Sequence, residues 1–327
     1  VLMSGLDSEK LNLDRIGVTI GTGVGGIQTL EEQHSNIENK GARRVSPQFV
    51  PKMISNIAGG HLSIKWGFRG PNQTVTSACA SATDAIGMAM RLIMSGDADV
   101  MITGGTEASI TPLTIAGFAN MKALSQNNDN PEEASRPFEL SRDGFVLGEG
   151  SGMIVIEKES HALDRGANIL AELAGYGATD DAFHITQPSI GGIGALKAME
   201  RAILDAKLNL DEIDYINAHG TSTPFNDKNE SVFVNDDWRS RSDFMDLNRS
   251  IRGWGIDLHE KDAAGIFEFF PGKYLAQVTG VAPESGETAI RFIQLDGTNL
   301  GKIILLGVFT PIYGINPIVF YPLPIRI

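Results

Sequence analysis

The sequence has little of three things, and each scarcity excludes a class of protein. It holds a single cysteine, Cys79, among 327 residues, so no internal disulfide framework can form and a reducing compartment is expected. No run of about 18 apolar residues occurs, so no membrane span is expected. Basic residues number 27 against 40 acidic ones, and the net charge of −13 argues against a general binder of nucleic acid or anionic membranes.

The composition is otherwise that of a globular protein with room for a large core. Hydrophobic residues make up 42% and charged residues 20% of the chain, which is enough for one large domain or two. Predicted strands and helices alternate along the chain. This alternation favours a layered α/β fold with mainly parallel strand pairing.

One seven-residue segment occurs twice. Lys10-Leu-Asn-Leu-Asp-Arg-Ile16 recurs as Lys207-Leu-Asn-Leu-Asp-Glu-Ile213, and each copy leads into a predicted strand that ends in Gly-Thr. The separation is far too long for a solenoid repeat, so it indicates two similar α/β halves, unless a common helix-end sequence has recurred by chance. A predicted helix, 194–206, precedes the second copy. Only a stub precedes the first, so we expect the first strand and helix of the N-terminal half to be missing.

The only cysteine stands at a predicted corner between a strand and a helix. Residues 74–76 are predicted to end a buried strand, and residues 80–94 to form a nearly all-apolar helix, so Cys79 lies on or near the first helical turn. Unpaired N–H groups and the positive end of the helix dipole stabilise a thiolate there and lower the thiol pKa. A buried structural cysteine is the alternative, because cysteine also packs as a small hydrophobe. Residue type and position leave both interpretations open.

Two further segments allow more than one interpretation. Gly21-Thr-Gly-Val-Gly-Gly26 follows a predicted strand, 15–20, with the spacing of a dinucleotide-binding loop, but no second strand ending in a ribose-binding acid follows it. A close approach of the backbone beside Cys79 explains these glycines better. The stretch from Lys40 to Arg69 is locally basic, which fits either a solvated face or a docking surface for an acidic partner.

A histidine ends the predicted second-copy strand. His219 lies in Asn217-Ala-His-Gly-Thr-Ser-Thr-Pro224, beside a glycine turn and three hydroxyl side chains. The C-terminal tips of strands are where α/β sheets place chemistry, although a histidine at such a tip is also commonly structural. His219 is therefore a second candidate catalytic residue.

Six segments of the chain together resemble the elongating β-ketoacyl-acyl-carrier-protein synthases of the bacterial and plastid type II systems. They follow the family's order and spacing from about residue 5 to Glu230. The segments are Gly21-Thr-Gly-Val-Gly-Gly26, Thr76-Ser-Ala-Cys-Ala80, Gly104-Gly-Thr-Glu107, Ser135-Arg-Pro-Phe138, Arg142-Asp-Gly-Phe-Val-Leu-Gly-Glu-Gly150 and Asn217-Ala-His-Gly-Thr-Ser-Thr-Pro224. The resemblance implies a thiolase-like duplicated α/β fold, layered α-β-α-β-α, and a bacterial cytoplasmic or plastid stromal location.

The resemblance also implies a reaction. The Cys79 thiolate would take an acyl chain from acyl carrier protein. Malonyl-carrier protein would then lose CO₂, and its enolate would attack the acyl-enzyme and lengthen the chain by two carbons, as in fatty acid elongation. His219 corresponds to one of two histidines that serve the enolate. No metal or cofactor is implied, because the phosphopantetheine arm arrives on the carrier. The implied partners are acyl carrier protein, acyl and malonyl thioesters, and a second copy in a homodimer.

The remaining site residues are carried over from the family by position. Substrate-binding positions, matched to the phosphopantetheine-holding threonines, the acyl pocket and its gating segment, are Thr221, Thr223, Thr186, Val24 and Phe118. The carrier-docking positions are all basic and comprise Lys122, Arg43 and Arg44.

The resemblance ends after Glu230. The family's Ser-x-Lys-Ser-x-x-Gly-His-x-x-Gly-Ala-Ala-Gly run, with its lysine and second histidine, does not occur in this sequence, and neither does its Gly-Phe-Gly-Gly loop. His259, in a His-x-x-x-Ala-Ala-Gly spacing, is only a weak candidate for the second histidine. The tail instead predicts a loop at 235–252 and four strands, at 273–281, 288–295, 302–309 and 318–321.

We therefore predict three segments and weigh three functions. Residues 1–160 form an N-terminal thiolase-like half, and residues 161–230 begin the C-terminal half. Residues 231–327 are a divergent or foreign β-rich segment, which divergence, a frameshift or a fusion explains equally well.

The chain is a condensing enzyme, a catalytically impaired acyl-binding subunit, or a truncated synthase fused to an interaction module. Retention of Cys79 and His219 favours the enzyme, since a subunit without chemistry needs no reactive thiol. Non-decarboxylating thiolases are disfavoured, because they require a second cysteine.

Overall fold

A computed structural model describes residues 1–7, 9–189, 191–213 and 215–230, and the backbone of four strands in the tail. The described residues divide into two compact units. The first comprises residues 1–122, 147–208 and 302–307, and the second comprises residues 123–146, 209–230 and the strands between 264 and 294.

The first unit is built on a four-stranded sheet. Its strands are β1 (Ile16–Gly21), β2 (Asn72–Val75), β3 (Val100–Glu107) and β4 (Gly150–Glu157). Their order is β2-β1-β3-β4, with β2, β1 and β3 parallel and β4 antiparallel to β3. The predicted α/β class with mainly parallel pairing is confirmed for this sheet. One expectation is wrong: β2, which leads to Cys79, is not a buried strand but an edge strand whose first two residues are exposed, because β1 is its one neighbour among the described strands.

The core of the first unit follows from the apolar composition of β1. All six residues of β1 are buried, as expected for a strand with neighbours on both edges and packing on both faces. The buried cluster around it contains the aliphatic and aromatic side chains of Leu6, Ile16, Val18, Ile20, Phe68, Val100 and Ile102. This rigid centre supports the loops at the carboxyl ends of β1 and β3.

In the described residues, eight helices accompany the strands. They are α1 (Ile27–Lys40), α2 (Phe49–Met53), α3 (Ile57–Trp66), α4 (Ser81–Met94), α5 (Pro112–Asn120), α6 (Glu159–Asp164), α7 (Ile193–Ala206) and α8 (Pro224–Glu230). Residues 49–66 contain two helices, α2 and α3, rather than one continuous helix. Ile54 is extended, and the carbonyl of Met53 accepts the N–H of Gly26 at 3.1 Å, so the helix ends there.

The repeated segment folds in the same way in both copies. Each copy forms a short 3-10 turn, Leu13–Arg15 or Leu210–Glu212, that begins after an asparagine. Asn12 accepts the N–H of Asp14 at 3.1 Å, and Asn209 forms a reciprocal capping box with Glu212. The local structure therefore supports the duplication inferred from the sequence.

The strands after the repeats differ from expectation. The predicted strand after the second copy is wrong, because residues 215–221 belong to none of the strands in the described residues. Strand β5 (Glu172–Ala178) pairs instead in parallel with a tail strand, β9 (Lys302–Gly307).

The tail also contributes a three-stranded sheet. Its strands β6 (Ala264–Phe269), β7 (Gly272–Thr279) and β8 (Ala289–Gln294) are antiparallel, in the order β6-β7-β8. Three of the four predicted tail strands are confirmed as β7, β8 and β9, and β6 was missed. The predicted strand at 318–321 and the loop at 235–252 lie outside the described residues.

Candidate active site

Cys79 lies in a tight corner between β2 and α4. It is half-buried and stands two residues before the first residue of α4. The preceding residue, Ala78, has a φ of 49°, which is the left-handed region that costs a non-glycine residue about 1 kcal/mol or more. A strained strand-to-helix turn of this kind exposes the side chain at its tip.

Hydrogen bonds within the corner hold this strained backbone. The N–H of Ala80 donates to the carbonyl of Ser77 at 3.1 Å, and the N–H of Ser81 donates to the carbonyl of Ala78 at 3.1 Å. The Ser81 hydroxyl accepts the N–H of Ser77 at 2.9 Å and donates to the carbonyl of Ala78 at 2.5 Å. Two N–H groups that we expected to be unpaired are therefore used inside the turn. The dipole of the 14-residue helix α4 favours a thiolate at Cys79.

Two glycines allow the start of α4 to lie directly on the sheet. A Cβ on Gly21, at the end of β1, would stand 2.5 Å from the nitrogen of Ala82 and closer still to the carbonyl of Ser81. A Cβ on Gly105, in β3, would stand 2.6 Å from the Cβ of Ala82. The predicted close backbone approach beside Cys79 is thus confirmed, with Gly21 as the residue that makes it.

A carboxylate organises the loop after β1. Oε2 of Glu107 accepts the N–H groups of Gly23 at 2.6 Å and Val24 at 3.1 Å, and Oε1 accepts the hydroxyl of Thr22 at 3.2 Å. The side chain of Val24, the predicted acyl-pocket residue, is 42% exposed. Glu107 therefore fixes the backbone that carries Val24.

Asp84 and Tyr176 form a second polar contact near Cys79. The phenol of Tyr176, on β5, donates to Oδ1 of Asp84 at 2.6 Å, and the Ser77 hydroxyl donates to Oδ2 of the same carboxylate. Burial, followed by the hydrogen bond to Asp84, raises the pKa of the Tyr176 phenol well above its ordinary value. The phenol therefore stays protonated and keeps its role as a donor.

The other predicted residues of the first unit occupy its surface. Phe118 is half-buried on α5, and Lys122 is exposed just after α5 with a φ of 59°. Arg43 and Arg44 are exposed in the 3-10 turn at 42–44. Thr186 is exposed in the loop after β5, where its N–H donates to Nδ1 of His184 at 3.1 Å. Whether any of these contacts substrate or carrier stays a prediction.

The second unit carries His219 and the two predicted threonines. His219 is half-buried and Thr221 is buried. The hydroxyl oxygens of Thr221 and Thr223 lie 2.8 Å apart, so the structure brings this predicted pair together. Between them, Ser222 has a φ of 64° and is fully buried.

The segment 135–146 holds this turn in place. The Ser222 hydroxyl accepts the N–H of Arg136 at 3.0 Å, and its carbonyl accepts the N–H of Gly144 at 3.0 Å. Arg142 forms an ion pair with Asp227 at 3.1 Å and donates to the carbonyl of Thr223 at 3.3 Å. The Asp227 side chain has no exposed surface. Two sequence motifs that are far apart in the chain are thus joined by a buried charge pair in this unit.

Some predictions fall outside what the described residues test. His259 lies outside them. Cys79 belongs to the first unit and His219 to the second, so their meeting stays a prediction. The described residues contain no cluster of three or more metal-ligating side chains. Of the helices in the described part of the chain, none has both the length and the apolar content that crossing a bilayer requires.

Comparison with known families decides the membership of the chain. Residues 2–162 match the family described as "Beta-ketoacyl synthase, N-terminal domain", and residues 170–248 match "Beta-ketoacyl synthase, C-terminal domain". The chain belongs to the β-ketoacyl synthase family. The two matches include both the Cys79 corner and the turn that holds His219.

Curated relatives of this β-ketoacyl synthase support the type II assignment. The chain is 52% identical over 225 residues to 3-oxoacyl-[acyl-carrier-protein] synthase 2 of Staphylococcus aureus, covering 69% of this chain and 56% of that protein. It is 52% identical over 227 residues to a mitochondrial 3-oxoacyl-[acyl-carrier-protein] synthase of Arabidopsis thaliana, covering 69% of this chain and 49% of that protein. The chain thus spans about half the length of the curated relatives it matches.

Solved structures assign the fold. The chain is similar to a type II polyketide ketosynthase solved in complex with its acyl carrier protein, with a TM-score of 0.67 and 34% identity over 70% of this chain and 57% of that one. It is also similar to a β-ketoacyl synthase from Burkholderia phymatum, with a TM-score of 0.63 and 35% identity over 68% of this chain and 54% of that one. The expected thiolase-like fold is confirmed.

Four polar residues around the predicted site were missed by the sequence analysis. They are Asp84, Tyr176, Arg142 and Asp227, each of which binds a segment that carries a predicted site residue. Asp84 had a visible signal, because a carboxylate interrupts the apolar start of the helix after Cys79. Arg142 lies in one of the six family segments but was given no role of its own. Tyr176 and Asp227 had no signal, since their partners are distant in sequence.

Proposed function

We propose that this β-ketoacyl synthase chain carries out 3-oxoacyl-[acyl-carrier-protein] synthesis in fatty acid elongation. The observation that carries the proposal is the position of Cys79 in a strained corner at the start of α4. A helix of that length lowers the pKa of a thiol at its N-terminus, and the thiolate is the nucleophilic form.

The first half-reaction is acyl transfer to sulfur. The Cys79 thiolate attacks the carbonyl carbon of an acyl thioester, the C–S bond to the phosphopantetheine arm breaks, and the arm leaves as a thiol after taking a proton. The small residues around Cys79, which include Ala78 and Ala80, suit the approach of an acyl carbonyl. The paired hydroxyls of Thr221 and Thr223, 2.8 Å apart, suit a polar arm with amide groups.

The second half-reaction forms the new carbon–carbon bond. Malonyl-carrier protein loses CO₂, and the resulting enolate carbon attacks the Cys79 thioester, which releases the thiolate and a 3-oxoacyl chain two carbons longer. Negative charge develops on the enolate oxygen, so a hydrogen-bond donor there lowers the barrier. His219 is the proposed donor, supported by its place in the Asn217–Pro224 motif.

Acyl carrier protein is the proposed partner, and a homodimer is the proposed assembly. Support for the first comes from exposed basic side chains at the positions matched to the carrier-docking site, which are Arg43, Arg44 and Lys122. An acidic carrier would be attracted to such positions even though the whole chain has a charge of −13. The proposed compartment is the bacterial cytoplasm or the plastid stroma, which the single cysteine supports.

The decisive experiment is intact-mass spectrometry of the purified chain with acyl-carrier protein. We expect a mass gain of one acyl group, which Cys79→Ala should abolish. Adding malonyl-carrier protein should then release a 3-oxoacyl product and restore the original mass. Absence of the adduct on a folded chain would contradict the proposal.

An acyl-binding subunit without condensing activity is the second candidate. The observation that favours it is that the family's Ser-x-Lys-Ser-x-x-Gly-His-x-x-Gly-Ala-Ala-Gly run does not occur in the sequence, so the enolate has one proposed donor where the family has two. Loss of one such donor costs on the order of a hundredfold in rate. Stable acylation of Cys79 with no 3-oxoacyl product would establish this alternative.

A further inference from the structure

Asp84 connects the Cys79 corner to a separate strand of the first unit. It lies five residues after Cys79, in the first turn of α4. Each of its carboxylate oxygens has its own donor: Oδ2 accepts the Ser77 hydroxyl, and Oδ1 accepts the Tyr176 phenol at 2.6 Å. A carboxylate with two hydroxyl donors holds its position more firmly than one that binds water, because both oxygens are fixed.

Ser77 is the residue through which Asp84 reaches the corner. All of its polar groups are bound to the residues that follow Cys79. Its N–H donates to the Ser81 hydroxyl at 2.9 Å, its carbonyl accepts the N–H of Ala80 at 3.1 Å, and its own hydroxyl donates to Asp84. Cys79 lies between these contacts, so a displacement of Ser77 displaces the backbone of Cys79.

Tyr176 is held independently of Asp84. Its N–H donates to Oδ2 of Asp205 at 2.9 Å, and Asp205 also forms an ion pair with Arg91 at 2.9 Å. Its ring lies so close to Gly87 that a Cβ there would stand 2.5 Å from ring carbon Cε2 and closer to two others. The phenol therefore reaches Asp84 from a fixed position on β5.

We propose that Asp84 is a positioning residue for the Cys79 nucleophile, acting through Ser77 and anchored by Tyr176. The inference rests on the proposed role of Cys79. Asp84 also places a negative charge on the first turn of the helix whose dipole favours the thiolate. The two hydroxyl donors disperse that charge, so the field at Cys79 depends on both of them.

This arrangement predicts changes of opposite sign. Ser77→Ala or Tyr176→Phe removes one donor and leaves the carboxylate charge less dispersed, so the thiol should ionise at higher pH. Asp84→Asn removes the charge, so the thiol should ionise at lower pH. We expect each shift to be about half a pH unit, which is about a threefold change in the reaction rate of the thiol below its midpoint.

The test is the pH profile of iodoacetamide alkylation of the full chain, read by intact mass. The chain has one cysteine, so every alkyl group reports Cys79. Ser95→Ala is the matched control, because it removes a serine hydroxyl at the opposite end of α4 and should leave the midpoint unchanged. Far-UV circular dichroism and thermal unfolding identify the folded variants.

The opposite shifts would support the inference, whereas equal midpoints in the folded variants would overturn it. Three shifts in the same direction would also overturn it, because a general loosening of the corner would produce them. If Asp84→Asn does not fold, the upward shifts in Ser77→Ala and Tyr176→Phe decide. Acyl transfer from carrier protein to Cys79 is measured separately. If the alkylation midpoints shift as predicted but no acyl-enzyme forms, the proposed function alone is contradicted. If the acyl-enzyme forms but the midpoints do not shift, this inference alone is contradicted.

Discussion

Replacing Gly21 by alanine is the most direct test of how the Cys79 corner is built. The new Cβ would stand 2.5 Å from the nitrogen of Ala82 and closer to the Ser81 carbonyl. Ordinary contacts of a Cβ begin near 3.4 Å, so the first turn of α4 must retreat by about 1 Å. Overpacking of this kind costs about 1 to 3 kcal/mol, and the atoms that must move are backbone, so we expect the upper part of that range.

Two measurements follow this displacement. Thermal unfolding should show a lower midpoint, by about 4 to 12 °C for a unit of this size. As the helix start moves away from Cys79, we expect the thiol pKa to rise by about one unit. Iodoacetamide should then alkylate Cys79 about tenfold more slowly at neutral pH, because one pKa unit changes the thiolate fraction tenfold below the midpoint. Gly152→Ala is the matched control, since a Cβ on this strand glycine meets no described atom within 4 Å. A Gly21→Ala protein with unchanged unfolding and alkylation would refute the packing argument.

Three further changes test other parts of the structure. Arg142→Ala leaves the fully buried Asp227 carboxylate without its cation, so we expect a loss of about 3 to 5 kcal/mol in the unfolding free energy of the second unit, measured with urea. Hydrogen bonds from Arg15 and Lys158 hold the pKa of Asp99 below its ordinary value. The stability that the Asp99 carboxylate contributes is therefore present at pH 7 and declines as the pH falls below about 4. The difference in unfolding temperature between wild type and Asp99→Asn should narrow from pH 7 to pH 3. Lys122→Glu should weaken binding of acyl carrier protein several-fold at low salt, measured by calorimetry, whereas Lys207→Glu, an exposed lysine with a similar φ of 56° after α7, should not.

The parts of the fold that the sequence predicted are those governed by local pattern. The helix after Cys79 and the helix 193–206 were predicted within one residue of their observed bounds, because the first is a long apolar run and the apolar residues of the second recur at helical spacing. The edge position of β2 was not predictable, since a strand of the same composition fits the centre or the edge of a sheet. The break between α2 and α3 was not predictable, because the Gly26 N–H that donates to the Met53 carbonyl comes from a part of the chain 27 residues earlier.

The residues of the candidate site also divide into those that local sequence pattern could predict and those that it could not. The glycine at the end of β1 and the cysteine in its corner could be interpreted from residue type and neighbouring elements. Tyr176 and Asp227 could not, because each acts on a partner about 90 residues away, and one sequence without an alignment carries no sign of that pairing. The strand predicted before His219 failed for a related reason: its residues favour extended backbone, but a strand also requires a neighbour, and no described strand pairs with residues 215–221.

The two asparagine-capped 3-10 turns show how copies of one repeated segment can make different contacts. The copies differ at one position, Arg15 in the first and Glu212 in the second. Glu212 folds back on its own cap, with its carboxylate accepting the N–H of Asn209 at 2.8 Å, whereas Arg15 reaches 84 residues along the chain to Asp99 at 3.0 Å. A single codon thus separates a turn that closes on itself from one that fastens the base of β1 to β3. Exchanging the two side chains, Arg15→Glu and Glu212→Arg, would show whether the contacts of each turn depend on that side chain or on the surrounding structure.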